Sequence, residues 1–398
     1  MPPSPAPSER RVAIVGAALV ALGPVSLAAY TPAMPEIARA FATTTAAVHM
    51  TLTAFFGGFA LAQLLCGPLS DAFGRKPVGL AFLLIYLLGS VGAALAPSID
   101  LLVATRVLQG VGAAAGIALS RAIVRDLFTG QSSARIMNLI GIILAVGPAV
   151  SPAIGGLTLQ FAGWHAIFLV MLVYGLGLIV VLKTAMPETL RTPDLSGLKP
   201  ATLFGNYLKL ATDPAFLRPS LLIGATVGGL YALALMMPFI MIDRLGLTPS
   251  VYGLTMLAQT AAYATGGIVA QRLMRLVPAD RLVPLGLALV VAAASVLGCG
   301  LRILPLSVPL VLVPVTVWAF GISFVIPACQ TAALANYPRI AGSASALMGF
   351  IQMAAGFLAG LAASRFADQA LAVATILPAM AVLALAVFFG LRRRRPAG

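Results

Sequence analysis

One arginine stands inside an apolar, glycine-rich stretch of the chain, residues 101–114. If this stretch lies in lipid, the charge of Arg106 costs a few kcal/mol unless the guanidinium finds partners or water. We therefore expect it to face a central cavity or a neighbouring helix, with Gln109 about one helical turn further on. Three roles stay open. The side chain can extend to the membrane surface, bind backbone carbonyls freed by kinks near Pro24 and Pro32, or bind an anionic or carbonyl-bearing substrate.

Three further groups are candidates for carrying a proton, namely His49, Glu36 and Asp243. A proton carrier must change its proton affinity when its surroundings change. The imidazole of His49 ordinarily titrates close to physiological pH, which suits this task. An equal alternative for His49 is a structural role near the membrane surface, with its ring nitrogens hydrogen-bonded.

The remaining reactive side chains argue against an enzyme. Cys66, Cys299 and Cys329 lie far apart in apolar runs, and the chain has two histidines, so no metal-ligand spacing is present. The clustered Asp, His or Ser side chains that a lipid-modifying membrane enzyme needs are also missing. We expect no catalytic residues, no metal and no cofactor.

The amino-acid composition indicates that much of the chain lies in a membrane. The chain of 398 residues is 60% hydrophobic and 9% charged, whereas soluble domains carry about 25% charged residues. The net charge of +14 comes from basic residues in short connections, so it indicates membrane topology rather than nucleic-acid binding. Twelve apolar segments are long enough to span a bilayer. They cover residues 12–33, 46–70, 78–96, 101–125, 136–160, 165–185, 216–242, 250–275, 282–303, 307–335, 341–364 and 369–391.

A long polar connection divides these segments into six plus six. The prediction is an all-α integral membrane protein with an N-terminal six-helix bundle (1–185), a linker (186–215) and a C-terminal six-helix bundle with a basic tail (216–398). Most of the 25 basic residues fall on one side if the N-terminus is cytoplasmic. We therefore expect both termini and the linker to be cytoplasmic in a cell inner (plasma) membrane, with the first segment retained rather than cleaved as a signal peptide.

The stretch GPLSDAFGRKP, residues 67–77, joins the second and third segments. Its spacing Gly-x-x-x-Asp-x-x-Gly-Arg-Lys resembles the signature loop of the major facilitator superfamily. The resemblance implies that family's fold of two pseudo-symmetric bundles, with a substrate site near the midplane between them. The matching positions are Gly67, Asp71, Gly74, Arg75 and Lys76.

The same resemblance implies that this loop latches the halves together while the cavity faces outward. Asp71 is then expected to face the N-terminal end of the eleventh segment, at 341–345, where the helix dipole favours an anion. Arg75 is expected to reach Asp126 at the cytoplasmic end of the fourth segment.

Two further motifs resemble the drug:proton antiporters of that superfamily. TRVLQGVGAA, residues 105–114, resembles their fourth-helix signature, and GPAVSPAIGG, residues 147–156, resembles their fifth-helix signature. The second motif would place small residues on one helix face and a proline kink beside them, although a plain packing motif is the alternative. Its expected residues are Gly147, Ser151, Pro152, Gly155 and Gly156.

The stretches SRAIVRDLF, GWHAIF and AGSASALMGFIQ extend the resemblance, over nearly the whole chain, to the Bcr/CflA group of drug exporters. Members of that group export varied antibiotics, including chloramphenicol-like and bicyclomycin-like compounds. They usually carry Asp-x-Tyr-Leu-Pro at the outer end of the first helix, and that aspartate is their favoured proton carrier. This chain has Ala28 at that position, so proton coupling is left to His49, Glu36 or Asp243, or is absent.

A permissive apolar pocket is expected between the halves, because thioethers and aromatic rings adapt to many ligand shapes. By resemblance Arg106 influences proton release, and without a carboxylate at Ala28 we expect the cavity to favour neutral or anionic substrates over lipophilic cations. The candidate lining residues are Tyr30, Phe56, Tyr231, Met236, Met237, Gln330, Phe350 and Met353.

The sequence thus predicts a monomeric, secondary active multidrug or antibiotic efflux transporter that works by alternating access with proton coupling. Its expected partners are small-molecule drugs, protons and the lipid bilayer. The alternative is a metabolite uptake carrier or uniporter of the same fold without such coupling. The antiporter-like fifth segment favours the exporter, whereas Ala28 favours the alternative.

Overall fold

The computed structural model describes residues 7–128, 130–190 and 192–391, except the side chains of residues 134, 138, 141–149, 196 and 339. Ten helical segments of this part of the chain are long and apolar enough to cross a membrane. The α-helices are α1 Glu9–Tyr30, α2 Met34–Ala40, α3 Thr45–Phe73, α4 Arg75–Ala94, α5 Ile99–Leu127, α6 Gly130–Ala185, α7 Pro200–Thr212, α8 Pro214–Pro238, α9 Pro249–Leu273, α10 Val283–Ile303, α11 Val308–Ala335, α12 Ala341–Ala363 and α13 Gln369–Gly390.

Polar caps determine where several of these helices begin. The side chains of Thr44, Ser98 and Thr248 accept a hydrogen bond from a backbone N–H in the first turn of α3, α5 and α9. Such caps satisfy N–H groups that the helix itself leaves without partners. The start of a helix is therefore fixed by a short polar residue before an apolar run.

The helices differ from the predicted segments in three places. The fifth and sixth segments run on as α6, which changes direction at Gly163, where φ is +74°. The linker contains α7, an extra helix at Pro200–Thr212. The eighth segment forms α9, which is not among the ten apolar spans of the described chain, because it carries polar side chains such as Gln259 and Thr260.

We refer to α1–α6 as the N-terminal half and to α8–α13 as the C-terminal half. The halves meet where α3 packs against α12 and where α6 packs against α9. Asp71 lies near the last turn of α3, and Asp243 follows α8 at the opposite end of the bundle. These ends are called the Asp71 end and the Asp243 end.

Close packing around α5 depends on its glycines. A Cβ atom at Gly110 would lie 2.1 Å from the carbonyl oxygen of Phe55, and one at Gly116 would lie 2.0 Å from that of Leu19. Both distances are far inside van der Waals contact, so only glycine lets α3 and α1 approach α5 this closely. This packing fixes the position of Phe55 beside α5.

Candidate functional site

A cavity of about 380 Å³ lies between the two halves. The N-terminal half contributes walls from α1, α3, α5 and α6, and the C-terminal half contributes walls from α8, α9, α11 and α12. A concave, largely apolar volume of this size can enclose a drug-sized molecule. The cavity is therefore the candidate binding site of the chain.

The cavity is apolar toward the Asp243 end. Leu27, Ala28, Met237 and Met256 line it there. Unbranched thioether side chains fit many ligand shapes, so this wall is suited to the hydrophobic part of a ligand. Ala28, the position of the family aspartate, lies at the cavity surface and offers no carboxylate.

The cavity is polar and basic toward the Asp71 end. Arg121, Ser345, Gln63 and Gln330 line this part of it. Arg121 is the charged residue among the described lining residues, and none of these is an aspartate or glutamate. Its guanidinium donates a hydrogen bond from Nη1 to Oγ of Ser345, and this bond joins α5 of one half to α12 of the other.

Sequence reasoning missed Arg121, because it counted this residue among the cytoplasmic topology charges. The position of Arg121 along its helix, relative to the membrane surface, was the available signal. Arg121 lies one helical turn before Arg125, whose side chain is 61% exposed, so a charge at residue 121 falls inside the bundle rather than at its surface.

The predicted substrate residues divide into two groups. Tyr231, Met237, Gln330 and Met353 line the cavity. The other four predicted residues do not contribute to the described lining, since helix packing places them behind or beside it. These are Tyr30, Phe56, Met236 and Phe350.

Arg106 is fully buried against the neighbouring helices α1 and α3, which was one of the two expected environments, and it does not line the cavity as the other required. Its guanidinium carbon lies 4.4 Å from the ring centroid of Tyr30 and 4.5 Å from that of Phe55, and Phe55 in turn lines the cavity. The two aromatic faces supply the cation with partners that lipid does not. Its burial excludes extension to the membrane surface.

A chain of hydrogen bonds continues from Arg106 into the N-terminal half. Nη1 of Arg106 donates to Oε1 of Gln109 at 2.6 Å, and Nε2 of Gln109 donates to Oγ of Ser90 at 2.7 Å. Nε and Nη2 of Arg106 have no hydrogen-bond partner among the described residues. The guanidinium is thus held by a side-chain amide and two rings, and not by the carbonyls of a kinked α1.

His49 is fully buried in α3, at the surface where the two halves meet. Its ring packs edge-on against Phe239 of the C-terminal half, with ring centroids 5.3 Å apart. Neither ring nitrogen has a hydrogen-bond partner in the described chain, and the main chain of Leu235 lies close to the ring without meeting hydrogen-bond geometry. The structural role and the proton-carrying role of His49 both stay predictions.

The two other candidate acids lie at the Asp243 end. Asp243 forms an ion pair of 2.8 Å with Arg39, and this pair joins the C-terminal half to the last turn of α2. The side chains of Arg39 and Asp243 are 62% and 35% exposed. Glu36, in α2, is partly exposed and has no ion-pair partner in the described part of the chain.

The charged loop at the Asp71 end is built around Arg75, whose side chain is only 3% exposed. Its Nε lies 2.9 Å from Oδ2 of Asp126, and its Nη1 pairs with Asp71. Asp71 also lies 3.7 Å from Arg125. Within the described chain, no hydrogen bond joins Asp71 to residues 341–345, where Ser345 instead receives its bond from Arg121.

Glu188, in the linker, completes this loop and was missed from the sequence. Its carboxylate accepts hydrogen bonds of 3.0 Å from the backbone N–H groups of Arg75 and Lys76, at the N-terminus of α4. An anion is favoured there by the unpaired N–H groups and the helix dipole. Gly74, with φ +103°, leaves room for it, since a Cβ would lie 2.8 Å from Oε2 of Glu188.

The remaining loop residues have simpler surroundings. Nζ of Lys76 donates to the carbonyl oxygens of Lys183 at 2.7 Å and Met186 at 3.0 Å, near the end of α6. A cation is favoured at a helix C-terminus, so this contact ties α6 to the loop. Gly67 has open space where a Cβ would be placed.

The antiporter-like motif of α6 lies where both halves meet. A Cβ at Gly155 would lie 2.1 Å from the carbonyl oxygen of Ala29, and one at Gly156 would lie 2.3 Å from that of Pro249. The first glycine therefore admits α1 and the second admits α9. Pro152 lines the cavity and Ser151 is buried beside it, while Gly147 falls outside the described side chains.

Comparison with known proteins agrees with this architecture. A model of the Major Facilitator Superfamily matches residues 16–360. The uncharacterized MFS-type transporter YdgK of Bacillus subtilis (strain 168) is 33% identical over 95% of this chain and 94% of its own. Multidrug resistance protein D of Escherichia coli (strain K12) is 30% identical over 87% of this chain and 86% of its own.

A solved structure shows the same fold. The D-xylose-proton symporter superposes with a TM-score of 0.76, at 15% identity, over 96% of this chain and 97% of its own. The family and the fold are those of membrane transporters, not enzymes. The chain is thus a multi-pass membrane protein and belongs to the Major Facilitator Superfamily.

Proposed function

We propose that this protein is a secondary active efflux transporter for drugs or antibiotics. The observation that carries the proposal is the central cavity between the halves, with its methionine-rich wall and with Arg121 as the charged residue of its described lining. A permissive apolar wall suits molecules of varied shape. Relatives of this chain named for bicyclomycin, chloramphenicol and multidrug resistance support the substrate class.

The proposed architecture has twelve membrane spans in two six-helix bundles, with α6 counted as two spans and α9 as one. The units are residues 1–185 and 216–398, joined by the linker 186–215. We place both termini and the Asp71 end in the cytoplasm of a bacterial cell, because most basic connections lie at that end. The protein works as a monomer in the inner membrane.

Transport proceeds by rocking of the halves about the central cavity. Among the described residues, the polar side-chain contacts that cross between the halves include Arg39 with Asp243 at one end and Arg121 with Ser345 toward the other. Opening either end breaks the contact there and exposes the cavity on that side. The ion pairs around Arg75 act as a latch within the N-terminal half and hold its loop in shape during the movement.

Proton coupling is assigned to His49. A buried imidazole without hydrogen-bond partners is costly, and its neighbour Phe239 belongs to the other half. Separation of the halves at the Asp243 end would bring water to the ring and allow it to take a proton. Asp243 follows Phe239 by about one turn along the chain, so the Arg39–Asp243 pair opens with the same movement.

The second candidate function is a metabolite uptake carrier or uniporter of the same fold. Ala28 favours this function, since it lies at the cavity surface without the carboxylate that serves as proton carrier in the resembled group. The two functions differ in direction and in dependence on a proton gradient.

Drug susceptibility of an efflux-deficient bacterial host tests the proposal. The host expresses the wild-type chain, Asp71→Asn, or the surface control Arg272→Gln, and is exposed to chloramphenicol, bicyclomycin and cationic dyes. We expect protection by the wild type and the control, and loss of protection with Asp71→Asn. Absence of protection against every compound, with normal membrane expression, would favour the uptake carrier.

A further inference from the structure

We propose that the basic end of the cavity binds the carboxylate of an amphipathic organic anion, and that this binding releases Arg121 from Ser345. The inference deepens the proposed function, because it names the substrate class of the same cavity and rests on that cavity being the transport site.

Arg121 brings a positive charge to the cavity without an acidic partner in the described chain. It is the charged residue among the described cavity-lining side chains, and it forms no ion pair within the described chain. Its partner Ser345 is a neutral hydroxyl on the opposite half. A guanidinium offers several N–H donors in a fork that matches a carboxylate, so a bound anion supplies what the protein itself does not.

The side-chain amide of Gln63 is a second polar group at this end of the cavity. Gln63 is 4% exposed, lines the same part of the cavity, and its Oε1 has no hydrogen-bond partner in the described chain. Its amide lies against Gly349, where a Cβ would be 2.2 Å from Nε2. Gly349 follows Ser345 by one turn of α12, so the amide lies at the same end of the cavity, available to a hydroxyl or N–H group next to the carboxylate.

The wall opposite Arg121 is suited to the hydrophobic part of the ligand. Leu27, Met237 and Met256 surround the cavity toward the Asp243 end. A molecule with an aromatic or aliphatic body and one negative group at its edge matches this distribution. A lipophilic cation would place its charge in a cavity that carries a cation and, among the described lining residues, no acid.

Arg106 cannot reach an anion in the cavity in this conformation. Its side chain is 0% exposed, and Phe55 lies between its guanidinium and the cavity. Substrate binding, one of the three roles considered for Arg106, therefore falls to Arg121 in this proposal.

Binding at Arg121 is linked to movement of the halves. Arg121 belongs to α5 and Ser345 to α12, so their hydrogen bond holds the halves together near the Asp71 end. A carboxylate competes with the Ser345 hydroxyl for the same guanidinium, and a charged acceptor is the stronger one. A ligand shifts a conformational equilibrium by its difference in affinity for the two states, and this competition supplies such a difference.

The test uses three probes of one shape and different charge: 1-naphthoate, 1-naphthamide and 1-naphthylmethylammonium. Equilibrium dialysis measures their dissociation constants with the purified full-length protein in detergent at neutral pH. For the wild type we expect 1-naphthoate to bind at least about tenfold more tightly than the other two, as a charge-assisted contact implies. Equal binding of the anion and the amide would overturn the proposal.

Variants assign the effect to the two residues. Arg121→Gln is expected to weaken 1-naphthoate at least about tenfold and to leave 1-naphthamide within about twofold. Arg121→Lys keeps a charge in the cavity and retains part of the preference, which separates charge from folding. The exposed control Arg272→Gln binds like the wild type. Unchanged binding of 1-naphthoate by Arg121→Gln would contradict the site.

Ser345→Ala tests the competition. Removal of the hydroxyl frees the guanidinium, so 1-naphthoate is expected to bind this variant more tightly than the wild type, whereas weaker binding would contradict the exchange. The drug-susceptibility result separates the two proposals. If 1-naphthoate binds through Arg121 but the host is not protected, the efflux function is contradicted and the anion site is not. If the host is protected but the charged and neutral probes bind equally, the anion site is contradicted and the efflux function is not.

Discussion

At the scale of single residues, two arginines of α5 have different tasks. Arg106 is a positioning residue, because it holds Tyr30 and Phe55 and does not reach the cavity. Arg121 reaches the cavity and carries the only charge of its described lining. The two arginines should therefore be distinguishable by the charge of the molecule transported.

Arg106→Gln is expected to weaken transport of neutral, anionic and cationic compounds alike, since the wall at Phe55 loses its support. Two cation–π contacts of about 0.5–2 kcal/mol each predict a loss of about 1–4 kcal/mol in the free energy of unfolding. Thermal unfolding in detergent and a transport panel sorted by charge measure the two effects. A loss confined to anionic compounds would show that Arg106 meets the substrate.

His49→Gln is expected to leave the fold intact and to uncouple drug transport from an imposed pH gradient. Glutamine has a similar volume and polar atoms but does not titrate. Drug-driven proton movement in proteoliposomes measures the coupling, and His49→Phe tests whether the ring's packing against Phe239 is sufficient. Normal coupling in both variants would leave the ring with a packing role only.

At the scale of helices, the small residues of α6 set how closely α1 and α9 approach this helix. Gly155→Ala would place a methyl group 2.1 Å from the carbonyl oxygen of Ala29, so α6 and α1 must separate. Overpacking of this kind typically costs about 1–3 kcal/mol. Thermal stability and the yield of folded protein are expected to fall.

Gly177→Ala is the matched control on the same helix, because a Cβ there meets nothing within 4 Å. Alanine favours a helix over glycine by about 0.8–1 kcal/mol, so this variant should be as stable as the wild type or more stable. Equal loss in both variants would mean that glycine at 155 is not required by close packing.

The helices were accessible to sequence reasoning, whereas much of the site was not. Long apolar runs and polar caps such as Thr44 mark helices locally, because both signals depend on neighbouring residues. Whether Arg106 or Arg121 reaches the cavity depends on how neighbouring helices rotate and pack, which no local pattern contains. The role of Glu188 likewise depends on the path that brings the linker back to α4.

At the scale of the whole molecule, the pair Arg39–Asp243 contributes to the balance between conformations more than to stability. Both side chains are at least one-third exposed, and such pairs contribute about 0–1 kcal/mol. Arg39→Asp places two negative charges together and is expected to open the Asp243 end. The double variant Arg39→Asp/Asp243→Arg restores the attraction and should close it.

Spin labels at the exposed positions Asp100 and Ala367, both near the Asp243 end, measure this opening as a distance distribution. We expect longer distances in the single variant and the wild-type distribution in the double variant. Identical distributions in all three proteins would show that the pair does not influence which conformation is populated.

Chloramphenicol accumulation in inverted membrane vesicles shows whether this protein moves drugs outward through the cavity between its halves. In these vesicles the cytoplasmic face points outward, so an exporter fills the vesicle. We predict accumulation that requires a proton gradient, persists in Arg272→Gln and is lost in Gly155→Ala. Accumulation only in right-side-out vesicles would contradict outward transport and identify an uptake carrier. Transport that does not depend on the gradient would contradict proton coupling and identify a uniporter.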